Sequence, residues 1–214
     1  MTPQESLVRP SENFSLKEFF VSAKYPNEAR AMVVTVSVVA NLARLTNVLL
    51  QPLRDFLGHG IAINRGYADA ALNAKQGGKA ISQHQYGEAA DCNIQGQEAW
   101  DAYFWLMENA RGEIGQCIIY LTTNRIAHFV HISVRSLRPE YTKRGEFLVK
   151  LDDKPDYYVY DKGVPGVTLP KPKKTLFPKS VPIPPPVPGI WPTPEEQAAS
   201  RDKETSKVSE DKTA

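Results

Sequence analysis

Two residues that can bind a metal ion, His84 and Asp91, lie seven positions apart in the segment 78–94. An imidazole nitrogen and a carboxylate oxygen are both zinc donors, and a catalytic zinc commonly takes three protein ligands and leaves a fourth position to water. Side chains separated by an odd number of residues point to opposite faces of a straight strand, so these two converge only where the chain turns. Gly87 lies between them and permits such a turn. The segment therefore predicts a metal site that needs a third ligand.

The third ligand has few possible sources, because the chain contains four histidines, at positions 59, 84, 128 and 131. His131 is the best candidate, since its segment 128–134 alternates and contains β-branched residues, which is typical of a strand. A strand would hold the imidazole firmly. We therefore predict a zinc ion bound by His84, Asp91 and His131.

A long helical segment is among the elements that must position these residues. Apolar residues recur at steps of three and four from 28 to 57, which predicts one helix, kinked at Pro52 and ended at Gly58. A shorter helix is predicted to begin at Ser15, where an S-x-x-E pattern forms a capping box with Glu18. We expect these helices to be the scaffold of the domain.

Five short segments rich in apolar and β-branched residues predict strands, and two further helices lie between them. The predicted strands cover 61–63, 89–94, 115–121, 128–135 and 144–151, and the predicted helices cover 70–75 and 97–109. The third and fourth strands are expected to pair as an antiparallel hairpin. Cys92 and Cys117 lie in strand-like segments and are expected to be buried free thiols.

Several short motifs follow one another in the order used by a known enzyme family. They are RGYAD at 65–69, SQH at 82–84, GEAAD at 87–91 and VHIS at 130–133. The segment 12–149 thereby resembles the zinc D-Ala-D-Ala carboxypeptidase family, peptidase family M15, in particular its short phage-type and bacterial members. The resemblance implies an α+β fold in which a small antiparallel sheet carries the zinc site and packs against N-terminal helices, as in hedgehog and D-Ala-D-Ala peptidase domains.

The resemblance also implies an activity. It is the zinc-dependent hydrolysis of a bond in the peptidoglycan stem peptide, either D-Ala-D-Ala or a related link, by a phage-associated protein. In this chemistry zinc polarises the peptide carbonyl and lowers the pKa of water.

The residue that accepts a proton departs from the family pattern. Many members carry Glu or Asp three residues before the last histidine, where this chain has His128. Histidine titrates near neutral pH, so His128 is the favoured general base. Phage-type relatives often carry a glutamate on the preceding strand, where this chain has Tyr120, either an oxyanion donor or a packed strand residue. Glu88 is the reserve carboxylate.

The substrate-binding residues depart from the pattern at one position. The family arginine of S-G-Y-R-S, which suits recognition of a carboxylate, is replaced by Ala68. Arg65 lies three positions earlier and is either a substitute in the pocket or an ordinary surface arginine. Tyr67 and Ser82 match the family and are predicted to contact the substrate.

The chain divides into three predicted parts, a loose leader over 1–13, the peptidase domain over 14–162 and a disordered tail over 163–214. Eleven of the 17 prolines lie between Pro165 and Pro194, and the last twenty residues are charged. The tail is either a solvated spacer or a segment that docks to an unknown protein.

The composition limits the possible partners and location. A net charge of +2 does not predict nucleic-acid binding. Neither a signal peptide nor an apolar run long enough to cross a membrane is recognisable, so we expect synthesis in the cytoplasm, without membrane insertion. Action at the cell wall would then require lysis, a phage particle or another export route.

Two other interpretations remain open. If His128 also binds the metal, four protein donors would leave no position for water, which suits a zinc-binding cell-wall or virion module without catalysis. Alternatively, the chain is an adaptor whose proline-rich tail carries the biological role.

Overall fold

A six-stranded sheet forms the centre of the computed structural model, which describes residues 9–172. The strand order is β1-β2-β4-β3-β5-β6. The strands are β1 Ala62–Arg65, β2 Ala89–Asn93, β3 Ile114–Leu121, β4 Ala127–Val134, β5 Glu146–Leu151 and β6 Tyr157–Val159. The helices are α1 Pro26–Ala31, α2 Val36–Leu45, α3 Gln51–Leu57, α4 Ala70–Lys75 and α5 Gly96–Asn109. This arrangement confirms the predicted α+β class.

The sheet is mixed, whereas the sequence predicted an antiparallel one. Strands β3 and β5 are parallel, and the remaining neighbours are antiparallel. The connection from β4 to β5 crosses the start of β3, where Arg135 N donates to Glu113 O and Gly145 N donates to Ile114 O. Strand β5 therefore pairs in parallel with β3, on the side of β3 away from β4. The sequence of a single strand does not reveal which neighbour it pairs with or in which direction. Strand β6 was not predicted.

One face of the sheet belongs to the hydrophobic core. Alternate residues of the central strands are buried on this face, among them Cys92, Cys117, Ile119, Val130 and Ile132. Helix α5 packs on β3 and β4, and α3 is joined to α5 by the stacked rings of Phe56 and Trp105, 5.5 Å apart. Both cysteines are buried free thiols, as predicted. The opposite face is left to carry the site.

The predicted long helix is interrupted, so that prediction is wrong between α1 and α2. Met32 ends α1 with extended dihedral angles, φ −59° and ψ 140°. Thr35 then caps α2, because its side chain accepts a hydrogen bond from Val38 N. The β-branched residues of this stretch favour such an extended link over a continuous helix.

A π-helical turn, Thr46–Leu50, joins α2 to α3, close to the predicted kink at Pro52. Thr46 Oγ1 donates to the carbonyls of Leu42 and Ala43, which disturbs the regular hydrogen-bond ladder. Gly58 ends α3 at φ +77°, the left-handed conformation expected of a terminal glycine.

The ordered structure extends beyond both predicted domain boundaries. Ser11 Oγ donates to Gln51 Oε1, so the part of the leader from residue 9 packs on the helices. At the other end, Val164 is buried and Tyr160 donates to Pro170 O. The rest of the leader, 1–8, and of the tail, 173–214, lies outside the described residues. No helix within 9–172 is long and apolar enough to cross a membrane.

Candidate metal centre

A single row of side chains crosses the free face of the sheet from β1 to β5. Successive register partners along this row are Arg65, Asp91, His131, Ile118 and Leu148. All five line one pocket with a volume of about 450 Å³. Because directly opposed residues project from the same face, strand pairing alone brings Arg65, Asp91 and His131 together.

The three predicted metal ligands converge on this row. His131 Nδ1 lies 2.8 Å from Asp91 Oδ1, and His84 Nε2 lies 3.5 Å from the same oxygen. One donor atom from each residue falls within 4.8 Å of the others. Within residues 9–172, this is the only group of three or more histidine, cysteine, aspartate or glutamate residues arranged to hold a metal ion.

His84 reaches the row from outside the sheet, through the predicted turn. It belongs to the 3₁₀ turn Gln83–Tyr86, and Gly87 ends this turn at φ +67°. A Cβ atom at position 87 would lie 2.8 Å from Val38 O, so α2 leaves room for glycine alone. Both the backbone conformation and the packing therefore require glycine between the two ligands.

The ring of His84 is oriented by a backbone carbonyl. Its Nδ1 lies 2.7 Å from Gly66 O, and because a carbonyl oxygen only accepts, Nδ1 carries the hydrogen. The lone pair is then on Nε2, the atom that faces Asp91. This tautomer of His84 is the one that can bind a metal ion through Nε2. A Cβ at Gly66 would lie 2.6 Å from Phe19 Cα. The glycine of RGYAD thus lets this segment pack against the backbone of Phe19.

Burial and charge act in opposite directions on the pKa values of His84 and Asp91. Burial lowers the pKa of His84, although the charge of Asp91 opposes this. Burial alone would raise the pKa of Asp91, but the charge of His84 and the hydrogen bond from His131 outweigh it and hold that pKa below its usual range. A neutral imidazole and an ionised carboxylate are the forms that bind metal.

These residues fit a divalent transition metal. Two imidazole nitrogens and one carboxylate oxygen form a donor set that zinc and its neighbours accept. Three donors on one side leave the pocket side open, as in a catalytic site.

Arg65 lines the pocket and is not an ordinary surface arginine, while its role as a substitute for the family arginine stays a prediction. Its Nη2 donates to Asn73 Oδ1 at 2.9 Å, while its buried Nε has no hydrogen-bond partner among the described residues. Burial lowers the pKa of Arg65, and the charge of Asp91 opposes that shift. The guanidinium is therefore held beside the cluster with a donor still available.

Two more predicted residues line the pocket. Ser82 precedes the turn that carries His84, and Tyr120 lies on β3. The Tyr120 ring stacks on Phe129 with the centroids 4.1 Å apart, and its hydroxyl lies 3.4 Å from Tyr157 Oη. Tyr120 is therefore a packed strand residue that also lines the pocket, and its role as an oxyanion donor stays a prediction.

Three predicted site residues do not line the pocket. Tyr67 is buried and its hydroxyl donates to Val33 O. Glu88 is buried in an ion pair with Arg138. Its position after a turn suggested a solvated side chain, but it points into the protein.

His128 is the third, and it lies apart from the metal cluster. Its Nε2 is 3.3 Å from Asp152 Oδ1, and its side chain is 36% exposed. It is an odd number of residues from His131, so regular alternation separates the two side chains. It belongs neither to the pocket lining nor to the group of donors found within residues 9–172. The structure thus offers no contact for it as a base or as a fourth ligand.

Sequence reasoning missed several residues of the pocket lining, most of which follow the last motif. The pocket is also lined by Gln116, Glu140, Tyr141, Thr142, Lys143 and Tyr157. Most of them lie between β4 and β5 or on β6, where no periodic pattern or motif announces a functional role. Residues 140–143 reach the pocket because the connection from β4 to β5 crosses the sheet.

One comparison with known proteins bears on the site. A family model described as Peptidase M15 matches residues 13–133. The match covers more than half of the 214 residues and includes His84, Asp91 and His131. No curated protein matches the chain.

Proposed function

Because the chain belongs to the peptidase M15 family, we propose that it is a zinc-dependent peptidase that hydrolyses a bond in the stem peptide of peptidoglycan. The convergence of His84, Asp91 and His131 on the floor of an open pocket carries this proposal. The motifs shared with short phage-type members support a role in lysis or in a virion.

The three ligands would hold the zinc ion, which supplies Lewis-acid polarisation of a carbonyl and activation of water. Gly66 O keeps the His84 ring in its ligating tautomer. The row on the sheet puts the guanidinium of Arg65 beside the ligands, where it can donate to a carboxylate or a developing oxyanion of the substrate. Ser82 and Tyr120 supply hydroxyl groups to the same pocket.

Proton transfer is the step to which the pocket contributes least. Of the described residues that line it, two are carboxylic acids, Asp91 and Glu140, and the first serves as a ligand. His128 contacts Asp152 instead. This shortage favours a second candidate function, a zinc-binding peptidoglycan module that does not hydrolyse its ligand.

The test is release of fragments from purified peptidoglycan, with the products identified by mass. Zinc-loaded protein is compared with chelated protein and with His84→Ala. His59→Ala is the matched control, because His59 is a half-exposed histidine paired with Glu98 outside the pocket. The peptidase proposal expects release by the wild type and the control, and a loss on the order of 10³-fold or more in the other two samples.

The opposite result is equally informative. If zinc binds one-to-one and the protein sediments with peptidoglycan but releases no fragment, the peptidase proposal is wrong and the binding module is supported. The mass of any fragment identifies the bond that is cut.

A further inference from the structure

A buried ion pair lies next to the metal centre and has no part in metal binding. Arg138 Nη2 lies 2.8 Å from Glu88 Oε2, and the two side chains are 5% and 3% exposed. Arg138 Nε also donates to Glu88 Oε1, so the contact is two-pronged. Glu88 is three residues before the ligand Asp91, on the same chain segment.

The surroundings make this pair rigid. Ser136 Oγ donates to Glu88 Oε1 at 2.7 Å, and Gln83 Nε2 lies 3.4 Å from Glu88 Oε2. The Arg138 guanidinium stacks on Tyr86, with its central carbon 3.5 Å from the ring centroid. Gln83 and Tyr86 belong to the turn that carries His84. The pair therefore joins the ligand-bearing turn to the connection after β4.

That connection forms one wall of the pocket. Four consecutive lining residues, 140–143, begin two positions after Arg138. A second contact holds the same segment, since Tyr141 Oη donates to Gln116 Oε1 on β3. The segment lies beyond residues 13–133, so this wall is outside the part of the chain that matches the family model.

We propose that the Glu88–Arg138 pair is a positioning device that holds the segment 137–143 as the substrate-selecting wall of the pocket. Glu88 and Arg138 act through this wall and set the affinity for the substrate. They do not take part in the chemical step. The proposal rests on the peptidase function given above, because selection is expressed on its substrate.

The chemistry of the wall indicates what it selects. It carries a carboxylate, a hydroxyl and an ammonium group from Glu140, Thr142 and Lys143. Within the protein, Glu140 pairs with Arg138 and Lys143 pairs with Glu146. The pocket is also lined by the apolar side chains of Ile118 and Leu148. A peptide that combines a charged or hydrogen-bonding side chain with an aliphatic stretch matches this lining.

The test compares Glu88→Gln with Asp153→Asn, on the metal-loaded full chain. The second change is a matched acid-to-amide control, because Asp153 is paired with Arg125 outside the pocket. We expect Glu88→Gln to raise KM for soluble stem peptides on the order of tenfold, with kcat within about twofold of the wild type. Zinc affinity is expected to be unchanged, and amide hydrogen exchange in 137–143 to accelerate.

A folded Glu88→Gln protein with unchanged KM and unchanged exchange overturns the proposal, as does a fall in kcat at constant KM. If this variant does not fold, Arg138→Lys carries the test. It keeps both charges but loses the two-pronged contact and the planar stacking. We expect a smaller rise in KM from it, and no rise overturns the proposal.

Failure of the proposed function is a separate outcome. If the wild type cleaves no peptide, the peptidase function is wrong, and hydrogen exchange in 137–143 then decides the positioning role alone. Accelerated exchange in Glu88→Gln supports that role, and unchanged exchange refutes it.

Discussion

Two carboxylates three residues apart, Glu88 and Asp91, lie in buried clusters with different partners. Asp91 faces two histidines, whose lone pairs can be directed at a metal ion. Glu88 faces an arginine and a serine, which are donors and occupy its oxygens. The Asp91 side chain is 17% exposed and the Glu88 side chain 3%, and their partners differ in kind. Histidines can bind a metal ion together with a carboxylate, whereas an arginine and a serine can only hold the carboxylate in place by hydrogen bonds.

The largest difference between Asp91 and Glu88 is expected in their effect on zinc affinity. Asp91→Asn removes a charged ligand, so we expect zinc affinity to fall on the order of 100-fold or more, because the amide oxygen is a weaker donor. Glu88→Gln is the matched change and is expected to leave zinc affinity within a few-fold. Competition with a chromophoric chelator measures both. Equal losses in the two variants would show that the clusters are not independent.

For the free energy of unfolding, we expect substitution of Glu88 to cost more than substitution of Asp91. Glu88→Ala leaves Arg138 as a buried charge without its main partner, which costs about 3–5 kcal/mol. In metal-free protein, Asp91→Ala leaves two histidines that can remain neutral, so a smaller cost is expected. Urea unfolding of the metal-free variants gives the two free energies. A larger loss for Asp91→Ala would contradict the structural role assigned to Glu88.

A pH series sharpens the description of the metal cluster. Burial lowers the pKa of His84 from its ordinary value of 6.5, so below that pH the unfolded chain binds a proton that the folded metal-free protein excludes. The free energy of unfolding should therefore fall as the pH decreases below 6.5, until the folded pKa is reached. His84→Gln should flatten this slope, as measured by urea unfolding at several pH values.

His59 provides the control for that series. The hydrogen bond that His59 donates to Glu98 raises the pKa of His59, so its contribution to stability is present at low pH and is lost as the pH rises through the folded value. His59→Gln should therefore change the slope in the opposite direction, and only slightly, because the residue is exposed. A flattened acid slope in this variant would exclude His84 as the cause.

The smallest effect is expected at His128. It contacts Asp152 outside the pocket, so His128→Ala should keep kcat within about twofold of the wild type. Peptide hydrolysis with zinc bound is the measurement. A loss of tenfold or more would restore the role that the sequence predicted for it, and would require the strand to rearrange when substrate binds.

The convergence of the three candidate ligands was predictable because each has a strong local signal. His84 and Asp91 flank a glycine turn, and His131 lies in an alternating strand segment. Local patterns also predicted most strands and α5. They failed at Met32–Thr35, where a valine-rich stretch that continues the helical period is extended. The apolar period assumed burial on one helix face, whereas Val33 and Val36 are 74% and 84% exposed.

The sequence by itself predicted the α+β class, the glycines that the turns require and the three residues that converge as candidate metal ligands, because these depend on short-range chemistry and spacing. Only the tertiary structure decided which of the other polar residues line the pocket and which contact other parts of the protein. It brought Arg65 and the segment 140–143 to the pocket, turned Glu88 toward Arg138 and separated His128 from the metal cluster. These outcomes depend on strand register and on a connection that crosses the sheet, and both are set by packing between segments far apart in the chain.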